Sequence, residues 1–367
     1  MRLAFDVTAL HDVRTGVGVV TSELLHRFAA TSEIELVAYS VSWRGRRDVA
    51  ALVPDGVPVV RRPMAAQPLR RLWLRYDAPA LQWWTGAIDI VHGPNFVVPP
   101  SRAAAGLVTV HDLTCIHHPE LCTPDVLQYP ALLRRALARG AHIHTVSHFV
   151  GDEVVALLGA DPDRVHVVPN GVNAAATGRV ESGHRHAGGD RYILALGTVE
   201  PRKDLPTLVA AFDAVAAEDP ELRLVLAGPD GWGTDALVDA IGLASHRDRV
   251  VRLGWVSDAQ RADLLAGATV FAYPSRYEGF GLPPLDAMAA GVPVVATRAG
   301  ALPEVLGDAA TLVGVGDVDA LGGAIAALAA EPAAARATRV EGARRHASRY
   351  TWDAAAAALV SVYRGLC

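Results

Sequence analysis

The chain alternates short apolar runs with longer segments in which apolar residues recur at a helical period. In the first half, the helical patterns include residues 21–30 and 127–139. The apolar runs are strand candidates over residues 3–7, 35–39, 88–91, 107–110, 143–146 and 165–168. Strands that are apolar throughout, with helices between them, indicate a parallel sheet covered on both faces.

This alternation stops at Asn173 and restarts near Tyr192. Residues 174–190 (AAATGRVESGHRHAGGD) are small, polar and Gly-rich, which predicts an interdomain linker. The second half has helical patterns at 318–330 and 351–363. Its strand candidates are residues 192–196, 222–227, 250–253, 270–273, 292–296 and 311–313.

The length of 367 residues also favours two domains, because single hydrophobic cores rarely grow that large. We expect an N-terminal Rossmann-like domain over 1–173, the linker, and a C-terminal Rossmann-like domain over 191–345. A last helix within 346–367 is expected to pack back on the first domain. Two doubly wound α/β units predict a ligand site where the carboxyl ends of their strands face a common cleft.

The most informative stretch is residues 271–296, FAYPSRYEGFGLPPLDAMAAGVPVVA. An apolar strand leads into a loop whose Gly279 and Gly281 permit close approach of a ligand to the backbone. Pro283 or Pro284 suits the first turn of a helix. The free N–H groups and the dipole of that helix would attract a diphosphate.

Two acids flank this loop: Glu278 before the helix, and Asp286 eight residues later. A carboxylate such as Asp286 near the helix start can accept hydrogen bonds from the two vicinal hydroxyls of a ribose. The alternative interpretation is that both acids simply favour the positive end of the helix dipole.

The whole stretch resembles the signature of glycosyltransferase family 4, the retaining enzymes of the GT-B fold. The resemblance implies that Glu278 approaches the hydroxyls of the transferred sugar and that the second acid grips the nucleotide ribose. It also implies that the backbone of Gly279, Phe280, Gly281 and Leu282 contacts sugar and phosphate. The chain departs from the family at Asp286, where the usual residue is Glu.

Residues 197–205, GTVEPRKDL, resemble a second family loop, and this likeness implies that Arg202 and Lys203 neutralise the leaving diphosphate. A solvated helix start is the alternative, but cations oppose the dipole there. The segments at 226–232 and 253–258 are similar to family loops that frame the nucleotide base.

The first domain carries two further matches. Gly16 and Gly18 precede the helix predicted from Thr21 and resemble a family glycine loop that lets donor and acceptor approach. His111 and Asp112 follow the strand at 107–110, and the resemblance places the His near the transferred sugar. A purely structural His is the alternative.

Composition excludes several classes of protein. A net charge of −5 argues against a general nucleic-acid binder, and no run reaches the roughly 18 apolar residues of a membrane span. Three cysteines without metal spacing fit a cytoplasmic protein. Asp317-Val-Asp319 matches a metal motif but is better explained as a helix cap, and the pairs His117–His118 and His142/His144 lack further ligands. We therefore expect no metal and no cofactor.

Residues 61–84 (RRPMAAQPLRRLWLRYDAPALQWW) form the one basic and aromatic segment. One interpretation is a solvated helix face with Trp83 and Trp84 in the core. The other is a surface that docks an acceptor or an anionic membrane. In the second case the protein would bind peripherally at the inner face of the membrane.

These observations and the resemblance predict a retaining enzyme that moves a hexose from a nucleoside-diphosphate sugar, with GDP-mannose as first candidate. The acceptor would be a saccharide, a lipid-linked or a small-molecule hydroxyl in bacterial glycan, glycolipid or metabolite synthesis. Arg202, Lys203 and the helix would stabilise the leaving group, with Glu278 and His111 positioning the sugar. A non-catalytic GT-B subunit remains an alternative, and an epimerase on the same architecture is a weaker one.

Overall fold

The computed structural model describes residues 1–11, 16–43, 49–60, 62–173 and 177–367. These residues form two compact units. One contains Met1–Gly171 together with Thr351–Cys367, and the other contains Val172–Tyr350. Each unit has one sheet of six strands, and all the strand pairs are parallel.

The sheet of the first unit has the strand order β2-β1-β3-β4-β5-β6. Its strands are β1 (Arg2–Asp6), β2 (Glu35–Tyr39), β3 (Ile90–Gly93), β4 (Ala105–Val110), β5 (His142–Thr145) and β6 (Val165–Val167). Its helices are α1 (Gly16–Ala30), α2 (Ala66–Trp73), α3 (Gln82–Thr85), α4 (Thr114–His117), α5 (Tyr129–Ala138), α6 (His148–Leu158) and, from the C-terminus, α15 (Trp352–Leu366).

The sheet of the second unit has the order β12-β11-β10-β7-β8-β9. Its strands are β7 (Tyr192–Leu196), β8 (Arg223–Ala227), β9 (Val250–Gly254), β10 (Val270–Tyr273), β11 (Val294–Thr297) and β12 (Thr311–Val313). Its helices are α7 (Val180–Ala187), α8 (Leu205–Glu218), α9 (Thr234–Leu243), α10 (Asp258–Gly267), α11 (Leu282–Ala290), α12 (Leu302–Leu306), α13 (Val318–Ala329) and α14 (Ala333–Ala347).

The predicted fold class is confirmed, and each predicted strand corresponds to an observed one with ends that differ by one or two residues at most. Burial explains why the apolar runs in the sequence predicted the strands correctly. Strands such as β7 and β10 are buried along their whole length, so both faces of each strand need apolar side chains.

The start of the first helix differs from the prediction. Helix α1 begins at Gly16, so Gly16 and Gly18 lie in its first turns and not in a loop ahead of Thr21. Glycine disfavours helix by about 1 kcal/mol, and for this reason the sequence suggested a later start. Packing overrides that preference, because Gly18 and Val20 are already buried against the rest of the unit.

The predicted linker is wrong over residues 180–187, which form helix α7. This helix packs on α10, and Arg179 at its start donates from its backbone N to Asp263 Oδ1 at 2.7 Å. A Cβ on Gly183 would lie 2.2 Å from the Asp263 carbonyl oxygen. The glycine that suggested flexibility therefore permits close helix packing.

Helix α15 belongs to the first unit and is tied to its sheet by buried polar groups. Tyr363 of this helix hydrogen-bonds His92 Nδ1, and His92 Nε2 lies 2.8 Å from Thr109 Oγ1. The same hydroxyl lies 2.9 Å from Nδ1 of His144, whose other ring nitrogen donates to the Val168 carbonyl oxygen. His144 therefore has the structural role expected of it.

Within the described parts of the chain, no single helix is long and apolar enough to cross a bilayer. Helices α13 and α14 reach the required length and composition only when taken together, across a bend of 110°.

Candidate active site

The loop after β10 leads directly into helix α11 of the second unit. Gly281 precedes the helix with a φ of 106°, a conformation that favours glycine, and a Cβ there would lie 2.6 Å from Leu302 Cδ2. Pro283 occupies the first turn, as predicted. Pro283 and Pro284 have no N–H, and Leu285 N already donates to the Gly281 carbonyl oxygen. Leu282 is therefore the residue of this first turn whose N–H has no partner within the helix.

A buried carboxylate lies at the start of this loop. The Glu278 side chain is 8% exposed, and its Oε1 lies 2.7 Å from both Arg202 Nη1 and Lys203 Nζ. Burial by itself raises the pKa of Glu278, but the two cations outweigh it and lower the pKa to about 2. Glu278 is therefore ionised at neutral pH.

Arg202 and Lys203 sit on a single 3₁₀ turn, Pro201–Lys203, after β7. Arg202 donates from Nη1 to the Tyr277 carbonyl oxygen at 2.8 Å and from Nη2 to Glu200 Oε1 at 2.7 Å. These bonds join the turn to the loop that carries Glu278. The two motifs that the sequence singled out independently thus form one charged cluster.

Lys203 is the more deeply enclosed of the two cations. Burial lowers its pKa, and Glu278 opposes that shift. Its Nζ donates to the Tyr273 hydroxyl and lies 4.5 Å from the centre of the Tyr273 ring. Tyr273 was not predicted as a site residue, although its place directly before Pro274, at the carboxyl end of β10, was a usable signal.

A cavity opens at the carboxyl ends of β7, β8, β9 and β10, and Lys203 and Tyr273 line it. Its other lining residues include Gly197, Gly228 and Gly254. Arg252 and Asp230 also line it and form an ion pair at 2.6 Å. The carboxyl edge of a parallel sheet is the usual ligand site of such folds.

Asp286 does not stand free for a ligand. Its carboxylate is partly buried on α11 and pairs with Arg261 of α10. Burial raises the pKa of Asp286, and Arg261 offsets part of that increase. Arg261 was not recognised in the sequence, because its residue type and position give no sign of which acid lies opposite. The ribose contact of Asp286 stays a prediction.

The remaining loop residues have mixed surroundings. The Phe280 ring is buried and meets the Tyr350 ring edge-on with centres 5.6 Å apart, so this side chain anchors the loop. The contacts implied for the backbone of Gly279, Phe280 and Leu282 stay predictions.

His111 follows β4 in the first unit. Its Nε2 lies 2.7 Å from the Pro94 carbonyl oxygen, and its ring meets Phe96 edge-on. Burial lowers the pKa of His111, which favours the neutral ring. Nε2 then carries the proton that Pro94 accepts, and Nδ1 is left as an acceptor. The role of His111 toward the sugar stays a prediction, as does the role of Gly16 and Gly18.

The rejected metal motif has the structural role expected of it. The Asp317 carboxylate caps α13 by accepting from the backbone N of Ala320 at 2.9 Å. Among the described residues, no group of three or more His, Cys, Asp or Glu side chains could hold a metal ion.

One interpretation of residues 61–84 is wrong in part. Trp83 is not in the core: it is 63% exposed. Trp84 is partly buried against the core, and Trp73 of α2 is the fully buried tryptophan. Trp73 packs in the core cluster of the first unit, whereas Trp83 lies outside that cluster on α3.

Two Rossmann-like units on parallel sheets, with a cationic turn and a helix start at the strand ends, define the GT-B class of glycosyltransferases. Residues 179–346 match the family described as Glycosyl transferases group 1, and residues 15–171 match the Glycosyl transferase 4-like domain. The chain belongs to this group 1, family 4-like family and is a glycosyltransferase enzyme.

Individual relatives agree with this family. O-antigen chain mannosyltransferase B of Escherichia coli is 31% identical over 349 residues, which cover 88% of each chain. The MMP alpha-(1->4)-mannosyltransferase of Mycolicibacterium hassiacum is 36% identical over 224 residues, which cover 60% of this chain and 53% of that one. The structure of Anabaena HepE in complex with UDP and glucose superposes with a TM-score of 0.76 at 16% identity, over 100% of both chains.

Proposed function

We propose that this enzyme transfers a hexose from a nucleoside-diphosphate sugar to an acceptor hydroxyl with retention of anomeric configuration, and that GDP-mannose is the first donor to test. The acceptor would be a saccharide, a lipid-linked or a small-molecule hydroxyl. The observation that carries the proposal is the buried Glu278 carboxylate between Arg202 and Lys203, in the loop that leads into α11. The E. coli relative is named for mannosyl transfer, and the Anabaena protein was solved with UDP and glucose.

The charged cluster suits the departure of a diphosphate. Negative charge grows on the leaving group as its bond to the sugar breaks, and preorganised donors that face this charge accelerate the step. Arg202, Lys203 and the Leu282 N–H at the start of α11 are such donors. Because they supply positive charge without a metal ion, we propose a metal-independent reaction.

Glu278 would take the sugar hydroxyls once the diphosphate competes for its two cations. An ionised carboxylate accepts hydrogen bonds only, which suits a hydroxyl-rich ligand. Front-face attack and a covalent intermediate both agree with this arrangement, and we assign no nucleophile.

A panel of ligands tests the proposal. GDP, UDP, GDP-mannose and UDP-glucose are added separately in a thermal-unfolding experiment, since a ligand that binds only the folded state raises its stability. Release of nucleoside diphosphate is then measured for each sugar nucleotide. We expect stabilisation and turnover with one donor, GDP-mannose first. Absence of any stabilisation by nucleoside diphosphates would overturn the proposal.

A non-catalytic sugar-nucleotide-binding subunit is the second candidate, and the shorter acid at Asp286 favours it. Such a subunit would be stabilised by the ligand but would release no nucleoside diphosphate. Against it stands the ionised Glu278 cluster, because buried charges are costly to keep where they serve no chemistry. Turnover of any donor in the panel excludes this candidate.

We further propose that residues 62–84 contact anionic membranes. Leu72, Tyr76 and Trp83 are 42%, 60% and 63% exposed. Arg71 and Arg75 are exposed as well, in a chain whose net charge is −5. Exposed aromatic and basic residues together suit a bilayer interface with anionic lipids.

The neighbouring contacts keep this surface basic. Asp77 pairs with Arg135 at 2.8 Å, so its charge is neutralised from outside the segment. Arg62 donates from Nη1 to the Trp83 carbonyl oxygen at 3.3 Å, which places a cation beside the exposed indole.

Vesicle sedimentation tests the contact. Wild type should bind vesicles that contain phosphatidylglycerol and should bind pure phosphatidylcholine vesicles weakly. High salt should release the protein from the phosphatidylglycerol vesicles. Leu72→Ala with Trp83→Ala should lose most binding, whereas Leu243→Ala, at an 88% exposed position of the second unit, should not. Equal binding by all variants would refute the assignment.

A further inference from the structure

Tyr273 ends strand β10 at the cavity of the second unit. Its side chain is 2% exposed, and the ring stacks on Phe271 with centres 6.2 Å apart. Its hydroxyl accepts a hydrogen bond from Lys203 Nζ, which also lies 4.5 Å from the ring centre. Packing in the sheet therefore fixes the Tyr273 ring, and the tyrosine in turn fixes Lys203 through its hydroxyl and its ring.

The donors of Lys203 can be counted. A lysine ammonium has three N–H donors and no acceptor. One serves the Tyr273 hydroxyl and one serves Glu278 Oε1. Among the contacts of the described residues, the third N–H has no protein acceptor, and Nζ belongs to a side chain that lines the cavity. This donor is placed for a ligand.

The hydroxyl of Tyr273 adds direction that the rest of the site lacks. Lysine carries its charge on a flexible stem of four carbons, so a single bond to Glu278 leaves Nζ free to swing about that bond. A second fixed acceptor, on a ring packed in the sheet, removes this freedom. Burial also raises the pKa of Tyr273 well above its usual range, so the hydroxyl stays neutral and adds no charge to oppose a phosphate.

We infer that Tyr273 is a positioning residue of the transfer reaction: it fixes Lys203 so that the third N–H of the ammonium points at the diphosphate of the donor. The inference rests on the proposed function, because it takes the diphosphate to bind at Lys203. Neither the sequence motifs nor the relatives' names assign a role to Tyr273.

The test removes only the hydroxyl. Tyr273→Phe keeps the ring and its contact with the ammonium charge. With GDP-mannose, or whichever sugar nucleotide of the panel is turned over, we expect kcat to fall on the order of tenfold while the donor KM changes little. The matched control is Tyr192→Phe, which removes an equally buried hydroxyl that donates to the Leu264 carbonyl oxygen at 2.6 Å. It should leave kcat near that of wild type.

A double mutant separates positioning from mere loss of stability. If Tyr273 acts through Lys203, adding Tyr273→Phe to Lys203→Ala should lower kcat no further, because the two effects share one path. Additive losses, or wild-type kcat in Tyr273→Phe, would overturn the inference. Wild-type kcat in Lys203→Ala would instead overturn the proposed function, so the two failures are distinguishable.

Discussion

Replacing Glu278 by Gln tests most directly whether this carboxylate and a diphosphate compete for the same two cations. The substitution keeps the size of the side chain and removes the charge that holds Arg202 and Lys203. The two partly buried cations then lose the counter-charge that they share, and Arg202 keeps its ion pair with Glu200. A nucleoside diphosphate would restore that counter-charge, so the variant should be less stable alone and should gain more from the ligand.

The size of the effect follows from the pKa of Glu278. The fall from 4.5 to about 2 corresponds to about 3 kcal/mol, at about 1.4 kcal/mol per pKa unit. This matches the range of roughly 3–5 kcal/mol for breaking a buried ion pair. At about 2–4 °C per kcal/mol for a unit of this size, the Tm should fall by about 10 °C.

Calorimetric titration with GDP and with UDP, together with thermal unfolding, measures both effects. Glu278→Gln should bind the nucleoside diphosphate at least as tightly as wild type does, and its Tm should rise more on ligand addition. The transfer rate should collapse, because the sugar hydroxyls lose their charged acceptor and keep only the neutral amide oxygen. Glu331→Gln serves as control, since it breaks a bidentate pair with Arg339 in the same unit, away from the cavity. Its loss of Tm should not be rescued by nucleoside diphosphate.

One result refutes this reasoning. If Glu278→Gln binds the nucleoside diphosphates more weakly than wild type by a factor of ten or so, which is about 1.4 kcal/mol, then the carboxylate supports the phosphate site instead of competing for its cations. The assignment of Arg202 and Lys203 to the diphosphate would then have to be withdrawn.

Four further outcomes are expected. Because its folded pKa of about 2 lies below the ordinary value of 4.5, Glu278 stabilises the protein above pH 4.5, and this contribution is lost as the pH falls toward 2. The free energy of unfolding in urea should therefore fall more steeply between pH 6 and pH 3 for wild type than for Glu278→Gln. Arg202→Ala with Lys203→Ala should cut turnover on the order of 100-fold, and near-normal kinetics would contradict their role. Asp286→Ala should weaken nucleoside diphosphate binding by ~1.5–3 kcal/mol in a calorimetric titration, while Asp286→Glu should be tolerated; unchanged binding in the Ala variant would reject the ribose contact. Turnover should survive EDTA, and its loss with rescue by Mg²⁺ or Mn²⁺ would show that a metal takes part.

The sheets were predictable from sequence because their strands are buried on both faces. Every residue of β7 and β10 is buried, so each strand is an unbroken apolar run that can be read without knowing its neighbours. Glycines were harder, because a glycine marks flexibility, a turn or close packing alike. Gly183 is needed for close packing, which becomes visible only when the structure places the backbone of Asp263 against it.

Site residues that lie in a single recognisable loop were predictable from the sequence. Site residues whose partners lie in distant segments of the chain were missed. Glu278 and Arg202 were found from their own motifs, but their mutual contact joins residues far apart in the chain. Tyr273 and Arg261 act through partners on other elements, Lys203 and Asp286. Their motifs give no sign of those partners, so residue type and position alone could not reveal either role.

Under the proposed function, the charge balance of the cluster would link binding of the diphosphate to binding of the sugar. Arg202 and Lys203 carry two positive charges, and Glu200 and Glu278 carry two negative ones within 2.7 Å of them, so the cluster is neutral before a donor binds. A diphosphate placed on these cations would leave the cluster negative unless a carboxylate yields its contacts. Glu200 directly precedes the short turn that carries its partner, whereas Glu278 comes from the loop that leads into α11. Under the proposed function we therefore expect the diphosphate to displace Glu278, and an ionised acid released beside the diphosphate would be an acceptor for a neighbouring sugar hydroxyl.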